Sequence, residues 1–199
     1  RRDKKFVRIN CSALPEALLE AELFGHTQGA FTGVAAKPGT LSVADGGTLL
    51  LDEIGSITPA MQAKLLQVLE TREYTPVGDV QSRTCNVRIV AATDVDLAAA
   101  VDAGDFRQDL FYSISVVPIS LPSLRERAGD IPLLVEHFIR KHSPEANTLV
   151  SDISDEAMRK LLRYTWPGNI RQIEQVVRRA LILSDGDTIQ PDDLPLESP

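Results

Sequence analysis

Residues 46–53 constrain the fold of this chain most. A glycine pair is followed by Thr-Leu-Leu-Leu, and the run closes on Asp52 and Glu53. A short, continuous apolar stretch between a glycine turn and charged residues is typical of a strand buried in a parallel sheet. Many nucleotide hydrolases place metal-directing and water-activating carboxylates at the end of such a strand. A strand that merely stops at solvated acidic residues is the alternative interpretation, and other motifs must decide between the two.

Length and composition limit the classes of protein to consider. The chain has 199 residues, 43% of them apolar, which suits one large domain or one domain with a small addition. The net charge of -7 disfavours a dominant nucleic-acid-binding surface, so we expect any DNA contact through a domain outside this segment. No apolar run or leader pattern indicates a membrane, and we expect a cytoplasmic protein. Cys11 and Cys85 lack a CxxC pattern, and we expect two reduced, structural thiols.

Strand and helix signals alternate through roughly the first 120 residues and predict an α/β sheet. Strands are predicted at residues 6–10, 48–53, 87–93 and 116–121, and a helix at residues 15–24. A second helix begins at the Thr58 cap and Pro59, and Met61, Leu65, Val68 and Leu69 share its apolar face. Beyond Pro122 only helices are predicted, at residues 131–142, 154–164 with Ser154 as N-cap, and 170–184. The expected domains are an α/β core over residues 1–122, a helical domain over 123–186 and a linker over 187–199.

Several sequence strings occur in one order along the chain. They are ELFGH at residues 22–26, GAFTGV at 29–34, ADGGTLLLDEIG at 44–55, AAT at 91–93, LPSLRER at 121–127 and WPGNIR at 166–171. In this order they resemble the central ATPase domain of bacterial enhancer-binding proteins, the AAA+ activators of sigma-54 RNA polymerase. The resemblance covers nearly the whole chain. It implies an α/β AAA+ P-loop-type parallel sheet followed by a small helical lid subdomain, with ATP and Mg²⁺ as cofactors.

The chain contains no Gly-x-x-x-x-Gly-Lys-Ser/Thr motif, the loop that cradles the phosphates of ATP. We therefore expect the sheet to lack the first, phosphate-loop strand. We also expect that this chain is part of a longer regulator and that, on its own, it does not hydrolyse ATP.

The resemblance implies catalytic roles for four residues. Asp52 would hold Mg²⁺ through its shell, and Glu53 would orient and polarise the attacking water. Asn10 matches the switch residue that hydrogen-bonds the catalytic glutamate and releases it according to the nucleotide state. From the residues alone, an Asn that ends a strand by bonding its own backbone is nearly as good an interpretation. Arg107 matches an arginine that a neighbouring subunit inserts into the nucleotide site, where it neutralises charge on the transferred phosphoryl group. Ser113 stands where the family usually has a second such arginine.

Three further residues match nucleotide contacts of the family. Thr93 and Asp94 match the strand tip that senses the γ-phosphate, where Asp94 replaces the usual Asn. Arg171 resembles the lid arginine that reaches the nucleotide phosphates. The alternative for Arg171 is an ordinary solvated arginine in a first helical turn.

Residues 29–34 match the loop that contacts sigma-54 in the family: Gly29, Ala30, Phe31, Thr32, Gly33 and Val34. Phe31 would be its apolar anchor, and Val34 stands at the usual Ala. The alternative is a Gly-rich hairpin with Phe31 packed into the core. The resemblance further implies self-association into a hexameric or heptameric ring, which remodels the closed complex of sigma-54 RNA polymerase. The alternative function is a degenerate, non-hydrolysing AAA+ regulatory or assembly module, with Ser113, Asp94 and Val34 as marks of lost activity.

Overall fold

The computed structural model of the chain describes residues 1–30, 35–146 and 149–196. The chain forms two compact units that divide between Pro118 and Ile119, whereas the sequence predicts a boundary after residue 122. Each unit has an apolar core of its own. Among the described residues, we find no helix with the length and apolar composition needed to cross a bilayer.

The first unit is an α/β fold. Its strands are Phe6–Asn10 (β1), Gly25–His26 (β2), Lys37–Pro38 (β3), Thr48–Asp52 (β4), Glu73–Tyr74 (β5), Arg83–Thr84 (β6) and Arg88–Ala91 (β7). Its helices are Glu16–Phe24 (α1), Thr40–Val43 (α2), Pro59–Thr71 (α3), Leu97–Ala103 (α4) and Gln108–Ile114 (α5). A 3-10 turn, Ile54–Ser56, follows β4. The predicted strands at residues 6–10, 48–53 and 87–93 and the predicted helices at 15–24 and after Thr58 are therefore confirmed.

The central sheet is parallel, with the strand order β1-β4-β7. Asn10 pairs with Asp52 at the end of β1, and Leu51 pairs with Ala91 at the end of β7. Because these strands run in the same direction and end in register, the residues that follow them meet at one edge of the sheet. The register therefore places the polar residues singled out in the sequence near one another.

The core of the first unit joins apolar side chains of β1, β4, α1, α3 and α5. Leu49 and Leu51 of β4 are fully buried. Helix α3 begins as predicted, with Pro59 at its first turn and the Thr58 hydroxyl accepting a hydrogen bond from the Met61 nitrogen at 3.4 Å. The predicted apolar face of α3 belongs to this core: Met61, Leu65 and Val68 are buried and Leu69 is partly buried. Burial of one such side chain contributes about 1.5–3 kcal/mol.

The strand predicted at residues 116–121 is wrong. These residues form no strand, and the side chains of Val116, Val117, Ile119 and Leu121 are 76–83% exposed. An extended segment needs a neighbouring strand to satisfy its backbone donors and acceptors. No strand of the described residues pairs with this segment. An apolar run therefore reports β-propensity but not the presence of a pairing partner.

The second unit is mainly helical. Its helices are Ile131–Ala146 (α6), Asp155–Arg163 (α7) and Asn169–Leu183 (α8), and its strands are Asp152–Ile153 (β8) and Thr188–Ile189 (β9). The Ser154 hydroxyl caps α7 by accepting from the Ala157 nitrogen at 3.3 Å, as predicted. Trp166 is buried in this unit and donates from Nε1 to the Leu161 carbonyl oxygen at 2.8 Å. The three predicted helices are thus confirmed.

The linker predicted at residues 187–199 is also corrected by the structure. Strand β9 pairs in parallel with β8, and Ile189 and Leu194 are buried in the core of the second unit. Lys160 donates from Nζ to the Pro191 carbonyl oxygen at 2.7 Å. The Pro- and Asp-rich composition resembles a linker, but two apolar side chains and one lysine attach the segment through residue 196 to the helices.

Candidate functional site

Glu53 follows β4 in a left-handed backbone conformation, with φ 56° and ψ 44°. This conformation is uncommon for a residue with a side chain. The Glu53 carbonyl oxygen accepts from the Ser56 nitrogen at 3.1 Å and from the Ser56 hydroxyl at 2.7 Å. The next nitrogen, of Ile54, donates to the Ala92 carbonyl oxygen at 3.0 Å. The turn is therefore fixed on both sides by hydrogen bonds.

The Glu53 carboxylate is held by residues that follow β1. Asn10 donates from Nδ2 to Glu53 Oε1 at 3.4 Å, and the Ser12 hydroxyl donates to Glu53 Oε2. The Asn10 amide oxygen accepts from the backbone nitrogens of Ser12, at 2.8 Å, and Ala13, at 3.2 Å. Both interpretations of Asn10 thus describe real contacts, since its oxygen bonds the local backbone while its NH₂ group faces Glu53. No sequence signal singles out Ser12, because its contact with Glu53 depends on the pairing of β1 with β4.

Asp52 forms an ion pair with Arg8, which donates from Nη2 to Asp52 Oδ2. The Arg8 side chain is 62% exposed and the Asp52 side chain 23% exposed, so the carboxylate is the less accessible partner. Among the described residues, no group of three or more His, Cys, Asp and Glu side chains is arranged to hold a metal ion. Mg²⁺ usually takes one or two carboxylates, together with water and phosphate oxygens. Asp52 suits such a shared site rather than a cage built by the protein alone.

The acidic pair also affects Cys11, which follows Asn10. Burial, together with the negative charges of Asp52 and Glu53, raises the pKa of the Cys11 thiol to about 11. Cys11 and Cys85 are both buried and free, as predicted. Cys11 is therefore a neutral thiol under ordinary conditions and belongs to the core beneath the site.

Thr93 lies beside the turn that carries Glu53. A Cβ added at Gly55 would stand 2.9 Å from Thr93 Oγ1, which shows how closely the two segments approach. The Thr93 hydroxyl accepts from the Val95 nitrogen at 3.0 Å. Thr93 and Asp94 are both exposed. The structure thus brings Asn10, Asp52, Glu53 and Thr93 together at one edge of the sheet.

Arg107 immediately precedes α5, and its guanidinium binds Asp109. Nε donates to Oδ1 at 3.0 Å and Nη2 donates to Oδ2 at 2.7 Å. These hydrogen bonds hold the pKa of Asp109 below its ordinary value. Ser113 donates to the Asp109 carbonyl oxygen at 2.9 Å, within the helix. Among the described residues, none of the hydrogen bonds of Arg107 involves Asp52 or Glu53.

Gln62 positions the backbone at Arg107. This side chain is fully buried; Oε1 accepts from the Arg107 nitrogen at 2.8 Å, and Nε2 donates to the carbonyl oxygens of Ile57 and Asp105, each at 3.0 Å. Sequence reasoning missed Gln62. A polar residue next to Met61 on the apolar face of α3 was the available signal, because a buried amide requires partners.

Arg171 lies in the second unit, in the first turn of α8, and its side chain is exposed. Two side-chain hydrogen bonds help to fix the turn before it. Asn169 Oδ1 accepts from the Leu124 nitrogen at 2.8 Å, and Gln172 Oε1 accepts from the Gly168 nitrogen at 2.9 Å. The start of this helix is therefore held in place while the arginine side chain remains in solvent.

The predicted sigma-54 loop is described only in part. Gly29 has φ 91°, a conformation that favours glycine, and the Ala30 nitrogen donates to the Thr27 carbonyl oxygen at 3.3 Å. Phe31, Thr32, Gly33 and Val34 lie outside the described residues. Strands β2 and β3 pair in antiparallel fashion on either side of residues 27–36.

Known proteins share both units of this chain. The Sigma-54 interaction domain matches residues 1–120, and the AAA+ ATPase lid domain matches residues 125–198. The transcriptional regulatory protein ZraR of Salmonella typhimurium is 49% identical over 197 residues, which are 98% of this chain and 45% of ZraR. The response regulator protein FleR of Pseudomonas aeruginosa is 48% identical over 200 residues, covering 100% of this chain and 42% of FleR. The chain thus spans less than half the length of these curated relatives.

Solved structures agree with the fold. The crystal structure of NtrX from Brucella abortus in complex with ADP superposes with a TM-score of 0.87 at 35% identity, covering 98% of this chain and 43% of NtrX. The NtrX complex with ATP gives the same values. The predicted AAA+ α/β sheet followed by a helical lid is confirmed. The chain belongs to the family of sigma-54 interaction domains of bacterial transcriptional activators.

Proposed function

We propose that this chain is the part of a bacterial transcriptional activator that couples ATP hydrolysis to remodelling of the sigma-54 RNA polymerase closed complex. The observation that carries the proposal is the hydrogen bond between Asn10 and Glu53, beside Asp52. It joins a basic carboxylate to an amide on the neighbouring strand, at the edge where parallel α/β sheets bind ligands. A general base and a residue that controls its orientation are what regulated hydrolysis requires.

Within this function, Glu53 accepts the proton of the attacking water and Asn10 controls the orientation of its carboxylate. Asp52 would hold the Mg²⁺ that accompanies the nucleotide, and the ion would offset negative charge on the phosphate oxygens. Binding at Asp52 requires Arg8 to share or release the carboxylate, and the 62% exposure of Arg8 allows it to move. In this proposal, Glu53 carries out the proton transfer and Asn10 orients the Glu53 carboxylate, both at the same edge of the sheet.

Nucleotide contact is proposed for three further residues. The Thr93 hydroxyl lies beside the Glu53 turn and is suited to sensing the γ-phosphate. Asp94 would take part only when a metal ion or a proton offsets its charge, because a carboxylate repels phosphate. The exposed guanidinium of Arg171 is suited to bidentate binding of phosphate. The complexes of NtrX with ADP and with ATP support nucleotide binding in a protein of this fold.

We further propose that residues 29–34 contact sigma-54, with Phe31 as the apolar anchor. The paired strands β2 and β3 give this segment a fixed base. Arg107 would act on the nucleotide of a neighbouring subunit in a cytoplasmic ring of six or seven copies. Its exposed position before α5 is suited to such a contact. DNA would be bound by another domain.

A second candidate function is a non-hydrolysing AAA+ regulatory or assembly module. The specific observation in its favour is that the guanidinium of Arg107 binds Asp109 of its own chain. Ser113 cannot supply a second charge at this surface. In this function the chain would assemble and bind partners without turnover.

Replacement of Glu53 by Gln in the protein expressed from its complete reading frame tests the proposal. Glu53→Gln removes the base but keeps the size of the side chain, so ATP binding should persist while turnover falls by at least about 100-fold. Glu70→Gln, on the exposed face of α3, is the matched control and should leave both unchanged. ATP hydrolysis near the parental rate in Glu53→Gln would exclude Glu53 as the base. No turnover in the parent would favour the non-hydrolysing module.

A further inference from the structure

Ser12 stands apart from the residues singled out so far because it touches both the base and its partner. Its hydroxyl lies within hydrogen-bond distance of Glu53 Oε2 and 3.0 Å from Asn10 Oδ1. Asn10 contacts the other carboxylate oxygen, Oε1, at 3.4 Å, near the limit for a hydrogen bond. Each oxygen of Glu53 therefore has its own donor.

The Ser12 hydroxyl has one proton and two acceptors within reach. Asn10 Oδ1 already accepts from the backbone nitrogens of Ser12 and Ala13. The Glu53 carboxylate is charged and is therefore the stronger acceptor. The proton is thus donated to Glu53 while Glu53 is present, and it can rotate to Asn10 Oδ1 when Glu53 turns away. Because a second acceptor is available, releasing the carboxylate does not leave the hydroxyl without a partner.

The Ser12 side chain is exposed, so the contact is not needed to fill the core. A second serine offers a comparison at the same turn, since the Ser56 hydroxyl donates to the main-chain carbonyl oxygen of Glu53 rather than to its carboxylate. Replacing Ser12 therefore removes a contact of the carboxylate, whereas replacing Ser56 removes a contact of the turn.

We propose that Ser12 is a positioning residue that, together with Asn10, restrains Glu53 in its resting orientation. Ser12 acts through Glu53 and does not itself contact the reacting atoms. The inference rests on the proposed function of Glu53 as the base. It names a regulatory residue whose described hydrogen-bond partners are the side-chain oxygen of Asn10 and the carboxylate of Glu53.

The first test measures ATP turnover and ATP affinity in the protein expressed from its complete reading frame. Ser12→Ala should raise basal turnover about two- to tenfold, the equivalent of one lost hydrogen bond, with ATP affinity unchanged. Ser12→Thr keeps the hydroxyl and should restore the parental rate. Ser56→Ala should stay close to the parent. An unchanged or lower rate in Ser12→Ala, or an equal rise in Ser56→Ala, would overturn the proposal.

The second test needs no nucleotide. In this chain labelled with ¹³C at glutamate carboxyl carbons, the Glu53 signal is assigned by its loss in Glu53→Gln. Ser12→Ala should shift this signal, whereas Ser56→Ala and Ser12→Thr should leave it near the parental position. A signal unmoved by Ser12→Ala would show that Ser12 does not hold the carboxylate. If the complete protein turns over no ATP, the proposed function fails, and the ¹³C signal still decides whether Ser12 restrains Glu53.

Discussion

Gly25 and Gly39 meet backbone to backbone where β2 pairs with β3. A Cβ added at Gly39 would stand 2.3 Å from the Gly25 nitrogen, and a Cβ added at Gly25 would stand 2.5 Å from the Gly39 nitrogen. Gly25 also has φ 79°, which disfavours any other residue. The two glycines thus fix the distance between the chain segments that enter and leave residues 27–36. The two chain segments that flank the proposed sigma-54 contact are therefore held at a fixed spacing, because neither glycine has space for a side chain.

Gly39→Ala should destabilise the first unit, because all the atoms that its Cβ would meet within 2.4 Å belong to the backbone. Overpacking of this kind typically costs about 1–3 kcal/mol. Urea unfolding followed by circular dichroism measures the loss. Gly129→Ala is the matched control, since its Cβ would meet nothing within 4 Å. Equal stability of the two variants would show that the close approach of Gly25 and Gly39 is absent in solution.

Arg107 should act between subunits if rings form. Arg107→Ala and Glu53→Gln variants of the complete protein should each be inactive, and a mixture should recover part of the turnover. Recovery is expected because an intact Glu53 on one subunit then faces an intact Arg107 on the next. The measurement is ATP turnover across mixing ratios, with co-assembly verified by exchange of labelled subunits. If co-assembled mixtures remain inactive, Arg107 does not act across the subunit interface. Its role would then be structural and within its own chain, consistent with its ion pair with Asp109.

Gln62→Leu should destabilise the first unit and impair the position of Arg107. The substitution leaves the backbone groups of Ile57, Asp105 and Arg107 without their partner. Each buried main-chain group left unpaired costs about 1–3 kcal/mol. Urea unfolding followed by circular dichroism should show the loss, and Gln67→Leu, an exposed residue of the same helix, should show little change. Near-parental stability of Gln62→Leu would mean that water replaces the lost amide.

The second unit should lose stability in mild acid. Hydrogen bonds from His142 hold the pKa of Glu145 below its ordinary value, and those from Lys141 and His142 do the same for Glu174. A lowered carboxylate pKa contributes stability above the ordinary value, near 4.5, and this contribution is lost as the pH falls through the lowered pKa. Both carboxylates are partly exposed, so the effect should be modest and should weaken in salt.

The chain's single tryptophan makes this measurement selective, because Trp166 is buried in the second unit. As the pH is lowered from about 5 to about 3, the urea concentration at the unfolding midpoint, measured by Trp166 fluorescence, should decrease in the parent. The decrease should be smaller in Glu174→Gln. Identical pH dependence in the two proteins would exclude the contribution of Glu174. Glu136→Gln, on an exposed surface pair with Arg140, is a suitable control.

Local signals in the sequence were sufficient for several elements. The Thr58-Pro59 start of α3 and the Ser154 cap of α7 depend on neighbouring residues only, and both are found. The apolar run before Asp52 also predicts its strand, because the run and its glycine turn are contiguous. Short-range chemistry therefore predicts where elements begin and which carboxylates end the central strand.

Contacts set by tertiary structure could not be predicted in this way. Ser12 reaches Glu53 only because β1 and β4 pair in a register that aligns Asn10 with Asp52. Gln62 reaches Arg107 across a separation of 45 residues. No strand in the described part of the chain pairs with the apolar run at residues 116–121, and residues 187–196 join the second core through Ile189 and Leu194. In each case, the deciding partner is distant in sequence.

The left-handed backbone at Glu53 sets stability against the proposed catalytic role at a single residue. Left-handed geometry costs a residue with a Cβ roughly 1–2 kcal/mol, and glycine avoids most of this cost. Glu53→Gly should therefore unfold at higher urea than Glu53→Ala, although neither variant can accept a proton from water. Glu53 occupies a positive-φ position that glycine would adopt at a lower conformational cost. A conformational cost of this kind is expected at a residue that serves chemistry, as proposed for Glu53.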